Sequence, residues 1–238
     1  DFGVDYLGVA TSDEAITLRR SGIKTPVLIF GAIFKEEALP AISRDISLTV
    51  VNEEMARFLS LCAGRLNKRV NVHAKIDTGM GRLGVWHEEA VPFIKNIKRL
   101  KNLELEGIYT HLPSADDEDE SFTNRQLLCF NKLIEELENN NISILLKHAA
   151  NSMGVLRFKG SHLNLVRPGL MIYGLYSNTK TPRPVELKPA LSFKTRIVYL
   201  KEIPKGRTIS YGRTYRTSRK TKVATLPVGY GDGYPRHA

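Results

Sequence analysis

Two short apolar runs in the middle of the chain are each followed by residues that a packed core does not favour. Ser152 comes shortly after the run Ile144–Leu146, and Arg167 and Gly169 follow the run Leu163–Val166. Polar groups at the ends of buried strands are where α/β folds place their ligands. A serine hydroxyl, backbone N–H groups near a glycine and a permanently protonated arginine suit a phosphate. The spacing indicates an anion site, although strand-end turns beside a surface arginine fit it equally well.

A second stretch, Lys75–Gly84, ends another apolar run and contains three glycines. Lys75 and Asp77 fall on one face of the predicted strand, because side chains alternate along a strand. The glycines let the following loop approach a ligand closely, and Arg82 in that loop offers a forked donor to a carboxylate or phenolate. A lysine in a buried strand needs an anionic partner. We interpret the stretch as functional, the alternative being a glycine-rich loop with a surface arginine.

Predicted strands and helices alternate through most of the chain, which favours a parallel sheet. The predicted strands are Tyr6–Ala10, Val27–Phe30, Leu48–Val51, Val70–Ile76, Leu105–Thr110, Ile144–Leu146 and Leu163–Val166. Seven such units fall one short of a closed eightfold barrel. We therefore predict an α/β fold, a (β/α)8 TIM-type barrel that lacks its first βα unit, and we expect that unit to precede Asp1.

The predicted helices carry their own start signals. Thr11 and Glu14 form a capping box that begins a helix ending near Arg20. Asn52 caps a helix whose apolar residues recur at helical spacing. The other predicted helices are Lys35–Ile42, Glu88–Ile97 and Phe122–Glu138.

The pattern changes after Gly174. The stretch Ser177–Pro189 contains three prolines without helical periodicity and is predicted to be a linker. The residues beyond it alternate as β-strands do, and we expect a mostly-β domain. The predicted strands there are Leu191–Leu200, Thr208–Tyr211 and Lys222–Val228, with a turn at 204–206. We expect two domains, residues 1–178 and residues 186–238. The first is expected to be truncated at its N-terminus and the second at its C-terminus.

The chain has a formal net charge of +10. Its densest basic cluster is Arg213, Arg216, Arg219, Lys220 and Lys222, and no nucleic-acid-binding motif accompanies it. We expect an anionic small-molecule ligand rather than nucleic acid. No apolar run reaches the ~20 residues that a membrane span needs, and no signal peptide opens the chain. We therefore expect no membrane binding. Two unpaired thiols in apolar helical patterns, Cys62 and Cys129, fit a reducing compartment, so we expect a cytoplasmic protein.

Six motifs, taken in order, resemble those of the bacterial alanine racemase family. They are Lys75–Gly84, Thr110-His111, His148-Ala-Ala-Asn-Ser152, Arg167–Gly174, Ile209–Gly212 and Leu226–Tyr234. The resemblance implies a barrel that binds pyridoxal 5'-phosphate, a following β domain, and a head-to-tail homodimer with shared active sites. It also implies interconversion of L-alanine and D-alanine, which supplies D-alanine for peptidoglycan. It implies no metal.

The resemblance assigns the cofactor contacts residue by residue. Ser152 and the backbone of Gly169 and Leu170 match positions that hold the cofactor phosphate. Arg167 matches the arginine that faces the pyridine nitrogen, and Asn151 would orient it. Because an arginine does not yield its proton, the ring nitrogen stays largely unprotonated and is a poorer electron sink. A less stabilised carbanion undergoes fewer side reactions.

The resemblance also assigns the groups that meet the substrate. Tyr211 matches a catalytic tyrosine that the partner subunit supplies to abstract the α-proton of L-alanine. A free tyrosine titrates near about 10, so it must be stabilised as phenolate, through His111 and Arg167. Arg82 matches an arginine that contacts the cofactor phenolate or the substrate carboxylate. Tyr230 matches a tyrosine that lines the substrate entry.

The resemblance concerns two lysines, Lys75 and the lysine that binds the cofactor in the family. Lys75 matches a lysine that is often carbamylated in the family, which converts a cation into an anion able to fix Arg82. The family's Schiff-base lysine, the second base, belongs to a segment that would precede Asp1, together with a phosphate-binding tyrosine. A second such tyrosine and a substrate-binding Met-Asp pair would follow Ala238. We therefore expect the chain as given to be inactive.

Two alternatives stay open at this point. A racemase of another amino acid in the same barrel group would share most of these motifs. A non-catalytic pyridoxal-phosphate-binding barrel would share the cofactor residues, but such proteins usually lack the β domain that carries Tyr211. Decarboxylases generally face the ring nitrogen with a carboxylate, so Arg167 speaks against them.

Overall fold

The structure is a computed structural model that describes residues 3–178 and 183–235. Its internal contacts divide the chain into two units, Asp1–Lys188 and Pro189–Ala238. We describe each unit by itself. Within the described residues, no helix is long and apolar enough to cross a membrane.

The first unit is built on one parallel sheet. Its strands are β1 (Leu7–Val9), β2 (Val27–Ile29), β3 (Ser47–Val50), β4 (Val70–Asp77), β5 (Val85–Trp86), β6 (Leu103–Tyr109) and β7 (Leu146–His148). Their order is β1-β2-β3-β4-β6-β7, every pairing is parallel, and the short β5 pairs with β4. Helices connect most neighbours. The predicted α/β class with a barrel-type parallel sheet is confirmed.

The seventh predicted strand is wrong. In place of a strand at Leu163–Val166, the structure has a single bridge from Leu165 to β7. The Asn164 side chain takes over the pairing, because its Oδ1 accepts from Lys147 N at 2.7 Å and its Nδ2 donates to Leu145 O at 2.7 Å. A side chain that bonds the neighbouring backbone leaves less of a regular ladder to form.

The helices follow the predicted order. They are α1 (Ser12–Arg20), α2 (Lys35–Ser43), α3 (Glu53–Arg65), α4 (Ala90–Lys98), α5 (Ser121–Asn139) and α6 (Ser152–Arg157), with 3-10 turns at His87–Glu89, Lys159–Ser161 and Leu170–Tyr173. The capping box is confirmed, since Thr11 and Glu14 exchange side-chain to backbone bonds. Asn52 accepts from Met55 N at 2.8 Å and so caps α3.

The two faces of the sheet differ in chemistry. Along β4, the apolar residues Val70, Val72, Ala74 and Ile76 belong to the buried core that also includes helix residues. The residues that alternate with them are polar, and strand geometry places these on the opposite face. That inner face carries buried polar groups from several strands. They are Ser47, Thr49, His73, Lys75, Asp77, Tyr109 and His148.

The second unit contains two antiparallel pairs. Its strands are β8 (Tyr199–Ile203), β9 (Thr208–Ile209), β10 (Tyr215–Arg216) and β11 (Thr221–Thr225), with 3-10 turns at Tyr211–Arg213 and Tyr230–Asp232. β8 pairs with β11, and β9 pairs with β10. Thr217 is buried and ties the turn at 204–206, accepting from Arg207 N and donating to Pro204 O.

The predicted strand Leu191–Leu200 is largely wrong, because β8 begins only at Tyr199. The ladder to β11 ends at the pair Tyr199–Thr225, so the residues before Tyr199 are not part of it. The predicted linker Ser177–Pro189 has neither helix nor strand in its described residues, and residues 179–182 lie outside them.

Candidate active site

Arg167 lies beside the carboxyl ends of β6 and β7, where three hydrogen bonds hold its guanidinium. Nη1 lies 2.8 Å from His148 Nδ1, and Nη2 donates to Thr110 O at 2.8 Å and to Ala149 O at 3.0 Å. Its Nε–H makes no hydrogen bond with the residues that the structure describes. Burial lowers the pKa of Arg167 to about 10, so the group stays charged at neutral pH. One N–H edge thus remains available to a ligand.

The ring of Tyr109 contacts Arg167, Lys75 and His148. It lies 5.3 Å from the Arg167 guanidinium carbon and 4.9 Å from Lys75 Nζ, both within cation–π range. The ring also stacks on His148 at a centroid distance of 4.7 Å and an interplanar angle of 5°. Its hydroxyl is 2.8 Å from Thr49 Oγ1. Two cations therefore share one aromatic side chain.

Ser152 is the first residue of α6 and lies buried against the segment after Arg167. Its Oγ accepts from Gly169 N at 3.0 Å and from Met171 N at 3.2 Å. A hydroxyl and two backbone N–H groups that converge on one point suit an anion such as a phosphate. The sequence also names the backbone of Leu170, which lies between these two donors, and that contact stays a prediction.

Asn151 does not hold Arg167 in the way the sequence predicts. Its Oδ1 accepts from Gly154 N at 2.9 Å and caps α6, and its Nδ2 donates to Leu112 O at 2.8 Å. Both functions fix the start of α6 and hence the position of Ser152. The three bonds to Arg167 come from other groups, so the orienting role of Asn151 is corrected.

The loop after β4 is folded around one carboxylate. Asp77 Oδ1 accepts from Gly79 N and Met80 N, and Oδ2 accepts from Gly81 N, each at 2.8 Å. Asp77 is therefore a loop-forming residue. The loop carries Arg82, whose side chain is exposed.

Gly84 brings this loop back onto β4. Its φ is +101°, and a Cβ there would lie 2.5 Å from Lys75 O. Only glycine fits a left-handed conformation at so close an approach.

Lys75 is buried, and among the described residues its amine faces the ring of Tyr109 without a hydrogen bond. Its exposure is 3%, and Nζ makes no hydrogen bond among the described residues. Burial first, and then repulsion from Arg167, lower the pKa of Lys75 to about 7, although Asp77 opposes the shift. Near neutral pH a large share of Lys75 is therefore the free amine, which is the nucleophilic form.

His111 follows β6 and is half-buried. Burial and the positive charges of Arg167, Lys75 and Arg82 lower the pKa of His111 to about 4. The imidazole is therefore neutral at physiological pH, with one N–H donor and one acceptor nitrogen.

The predicted residues of the second unit are Tyr211 and Tyr230. Both lie in 3-10 turns and are exposed, at 81% and 63% respectively. In the first unit, Lys75 and Arg167 share the ring of Tyr109, and Ser152 bonds Gly169. The charge of Arg82 acts on both Lys75 and His111.

Four residues of the site have no role predicted from the sequence, and they are Tyr109, His148, His73 and Glu106. The signal that could have found His73 is strand alternation, which puts it on the same face of β4 as Lys75. His148 is the first residue of the motif that ends in Ser152, so the sequence could have predicted that it lies near Arg167. Glu106 follows the core residue Leu105, so alternation also puts it on the inner face, but its position beside His73 depends on an irregularity in the sheet.

Fold and site together define a class of protein. It has a parallel α/β barrel-type sheet with a cationic site at the carboxyl ends of its strands, and a separate antiparallel β unit. Two family models match the chain, the alanine racemase N-terminal domain over residues 1–177 and the alanine racemase C-terminal domain over residues 190–238. The chain belongs to the alanine racemase family.

Curated relatives agree with the family models. The alanine racemase of Methanococcus maripaludis is 43% identical over 236 residues, which cover 98% of this chain and 63% of that protein. The alanine racemase of Halothermothrix orenii is 44% identical over 234 residues, covering 98% of this chain and 62% of that protein. The chain thus spans a little less than two thirds of the length of these relatives.

Solved structures share the fold. Alanine racemase from Clostridium difficile 630 aligns with a TM-score of 0.89 at 36% identity, covering 98% of this chain and 62% of that one. Alanine racemase from Bacillus anthracis with bound L-Ala-P aligns at 0.83 and 35% identity, with coverages of 97% and 60%. A histidine racemase from Leuconostoc mesenteroides aligns at 0.83 and 28% identity, with coverages of 98% and 63%.

The depressed pKa of Lys75 predicts a pH-dependent stability. The unfolded chain binds this proton below pH 10.5, whereas the folded chain binds it only below about 7. Between those values the unfolded state carries more protons, so the free energy of unfolding rises with pH. We expect Lys75→Met to flatten this rise in urea unfolding between pH 7 and 9.5, in buffers free of CO2.

The matched control is Lys98→Met, which removes an exposed lysine from α4. It should keep the wild-type slope. A Lys75→Met slope equal to that of the control would show that Lys75 titrates normally in the folded protein.

Proposed function

We propose that the protein is a pyridoxal-phosphate-dependent racemase that interconverts L-alanine and D-alanine as a homodimer. The observation that carries this proposal is the match of the chain to both alanine racemase domains. The Arg167 guanidinium supports it, because its Nε–H is left to donate to a ligand. Alanine is favoured as the substrate because the relatives from M. maripaludis and H. orenii are alanine racemases. D-Alanine for peptidoglycan is the corresponding product.

The residues present fit the cofactor. Ser152 Oγ and the backbone N–H groups of Gly169 and Leu170 would hold the phosphate, and Arg167 Nε–H would donate to the pyridine nitrogen. When bound, pyridoxal phosphate withdraws electrons from Cα of an amino acid and so acidifies its α-proton. Arg167 keeps its own proton at neutral pH, so it donates a hydrogen bond to the ring nitrogen without protonating it.

The acid–base groups follow from the family match. Tyr211 would act across the dimer interface and take the α-proton of L-alanine at its phenol oxygen. Its exposure leaves that oxygen accessible to a second chain. His111, neutral at physiological pH, would accept or donate one hydrogen bond between Tyr211 and Arg167. Motif matching assigns no lysine of this chain to the opposite face of the substrate.

The remaining contacts concern the anionic ends of the ligands. Arg82 would bind the cofactor phenolate or the substrate carboxylate, and Tyr230 would line the substrate entry. Lys75 would be carbamylated: Nζ attacks the carbon of CO2, one N–H proton leaves to solvent, and the product carries one negative charge. That charge would lie among cations, because the positive charges of Arg167 and Arg82 both act on Lys75.

The carbamate has a direct spectroscopic test. With ¹³C-labelled bicarbonate at pH 8, we expect a carbamate carbonyl resonance in the wild-type protein, because its Lys75 is largely unprotonated there. The resonance should vanish in Lys75→Met and persist in Lys98→Met. A wild-type spectrum without it, or a signal that survives Lys75→Met, would refute the modification.

Tyr211→Phe tests the racemase assignment in the full-length protein. Loss of a general base should lower L-to-D turnover by at least about 10²-fold. Exchange of the α-proton of D-alanine with D2O should persist, since another base serves that face. Both rates are measured by chiral chromatography and proton NMR.

The control for this variant is Tyr215→Phe, which removes an exposed hydroxyl on β10 and should leave turnover unchanged. Undiminished L-to-D turnover in Tyr211→Phe would rule out its assigned role.

A second candidate substrate is another amino acid, because the fold is shared with a histidine racemase. Turnover measured side by side on alanine, serine, lysine and histidine distinguishes the two. Bound cofactor without turnover of any of them would favour the non-catalytic reading.

A further inference from the structure

A line of buried hydrogen bonds runs from Arg167 into the interior of the sheet. His148 Nδ1 lies 2.8 Å from Arg167 Nη1, and His148 Nε2 lies 2.9 Å from His73 Nδ1. His73 Nε2 in turn lies 3.1 Å from Glu106 Oε2. Both imidazoles are fully buried, and the Glu106 side chain is 14% exposed. We call these four residues the relay.

The chemistry of the relay permits one arrangement of protons. A guanidinium has only donors, so His148 Nδ1 must accept and the His148 proton must lie on Nε2. His148 then donates to His73 Nδ1, which leaves the His73 proton on Nε2, facing Glu106. A doubly protonated His73 would set N–H against N–H at His148. Both imidazoles are therefore neutral, and the carboxylate accepts the last bond.

An irregularity in the sheet builds the relay. The β4–β6 register pairs Val72 with Leu105 and then His73 with Gly107, so Glu106 is an extra residue on β6. The bulge sets both Glu106 and Gly107 opposite His73, and the Glu106 carboxylate thus lies beside that imidazole. Gly107 supplies the space, since a Cβ there would lie 2.4 Å from His73 Nδ1.

Further groups keep Glu106 ionised. Asn71 Nδ2 donates to its Oε1 at 3.1 Å. Burial raises the pKa of Glu106, but hydrogen bonds from His73 and Tyr6 outweigh it and hold the pKa below the usual value. The far end of the relay is thus a carboxylate, and its near end is a guanidinium.

We propose that Glu106, acting through His73 and His148, is the counter-charge of Arg167 and fixes the edge that the guanidinium presents. The inference rests on the proposed function, in which that edge meets the cofactor ring. A carboxylate in direct contact has two acceptor oxygens and could bond two N–H groups of Arg167. The imidazole of His148 accepts only one, at Nη1, and leaves Nε–H free. Glu106 and His73 are positioning residues.

The test is ¹⁵N NMR of histidine-labelled protein at pH 7, which reports the tautomer of each imidazole without cofactor. Wild-type protein should show His73 and His148 protonated at Nε2 only. Glu106→Leu leaves His73 Nε2–H without its acceptor, so His73 should leave its bond to His148 and exchange between both tautomers. The control Glu104→Leu, on the exposed part of the same strand, should match wild type. Unchanged tautomers in Glu106→Leu would overturn the proposal.

The cofactor-loaded, full-length protein gives the second readout. Glu106→Gln keeps an acceptor oxygen and the side-chain shape, so the tautomers should hold even if Glu106→Leu does not fold. Its loss of charge should lower kcat about 10-fold, with KM for alanine little changed. An unchanged kcat would overturn the counter-charge role. If wild type shows no racemase activity, the proposed function fails, while the tautomers still decide the relay.

Discussion

The hydrogen bonding of a charged guanidinium at the carboxyl ends of the strands is the interaction on which the rest of the site depends. Among residues 3–178 and 183–235, no carboxylate lies within ion-pair distance of Arg167. The cost of desolvating it is therefore offset by hydrogen bonds and aromatic faces. The groups that do so are Thr110 O, Ala149 O, His148 Nδ1 and the rings of Phe30 and Tyr109. The hydrogen-bond partners hold Nη1 and Nη2 of the guanidinium and leave Nε–H available to a ligand.

This one cation sets the charge state of its neighbours. Its field adds to burial in lowering the pKa of Lys75 to about 7 and that of His111 to about 4. Both groups are therefore partly or wholly neutral where free side chains would carry more charge. An anionic ligand would relieve the same repulsion, which is a physical reason for the phosphorylated cofactor and the carbamate that we propose at this place. The site is electrostatically incomplete without anions.

Local signals in the sequence predict the elements well and the irregularities poorly. The cap at Asn52 and the alternation along β4 are set by neighbouring residues, so periodicity and capping rules find them. Asn164 replaces a strand ladder, and the bulge on β6 sets the Glu106 carboxylate beside His73. Both depend on a partner strand that is distant in sequence. Motifs select Arg167, but only the fold shows that His148 holds it.

The central claim is that Arg167 presents its Nε–H to the cofactor ring. We would follow arginine side-chain Nε–H resonances by ¹⁵N NMR in the full-length protein while adding pyridoxal 5'-phosphate. The Arg167 resonance should shift on saturation. That of Arg157, which is bonded to Ala115 O and Glu120, should stay in place. A cofactor-saturated protein whose Arg167 resonance does not move would contradict the account.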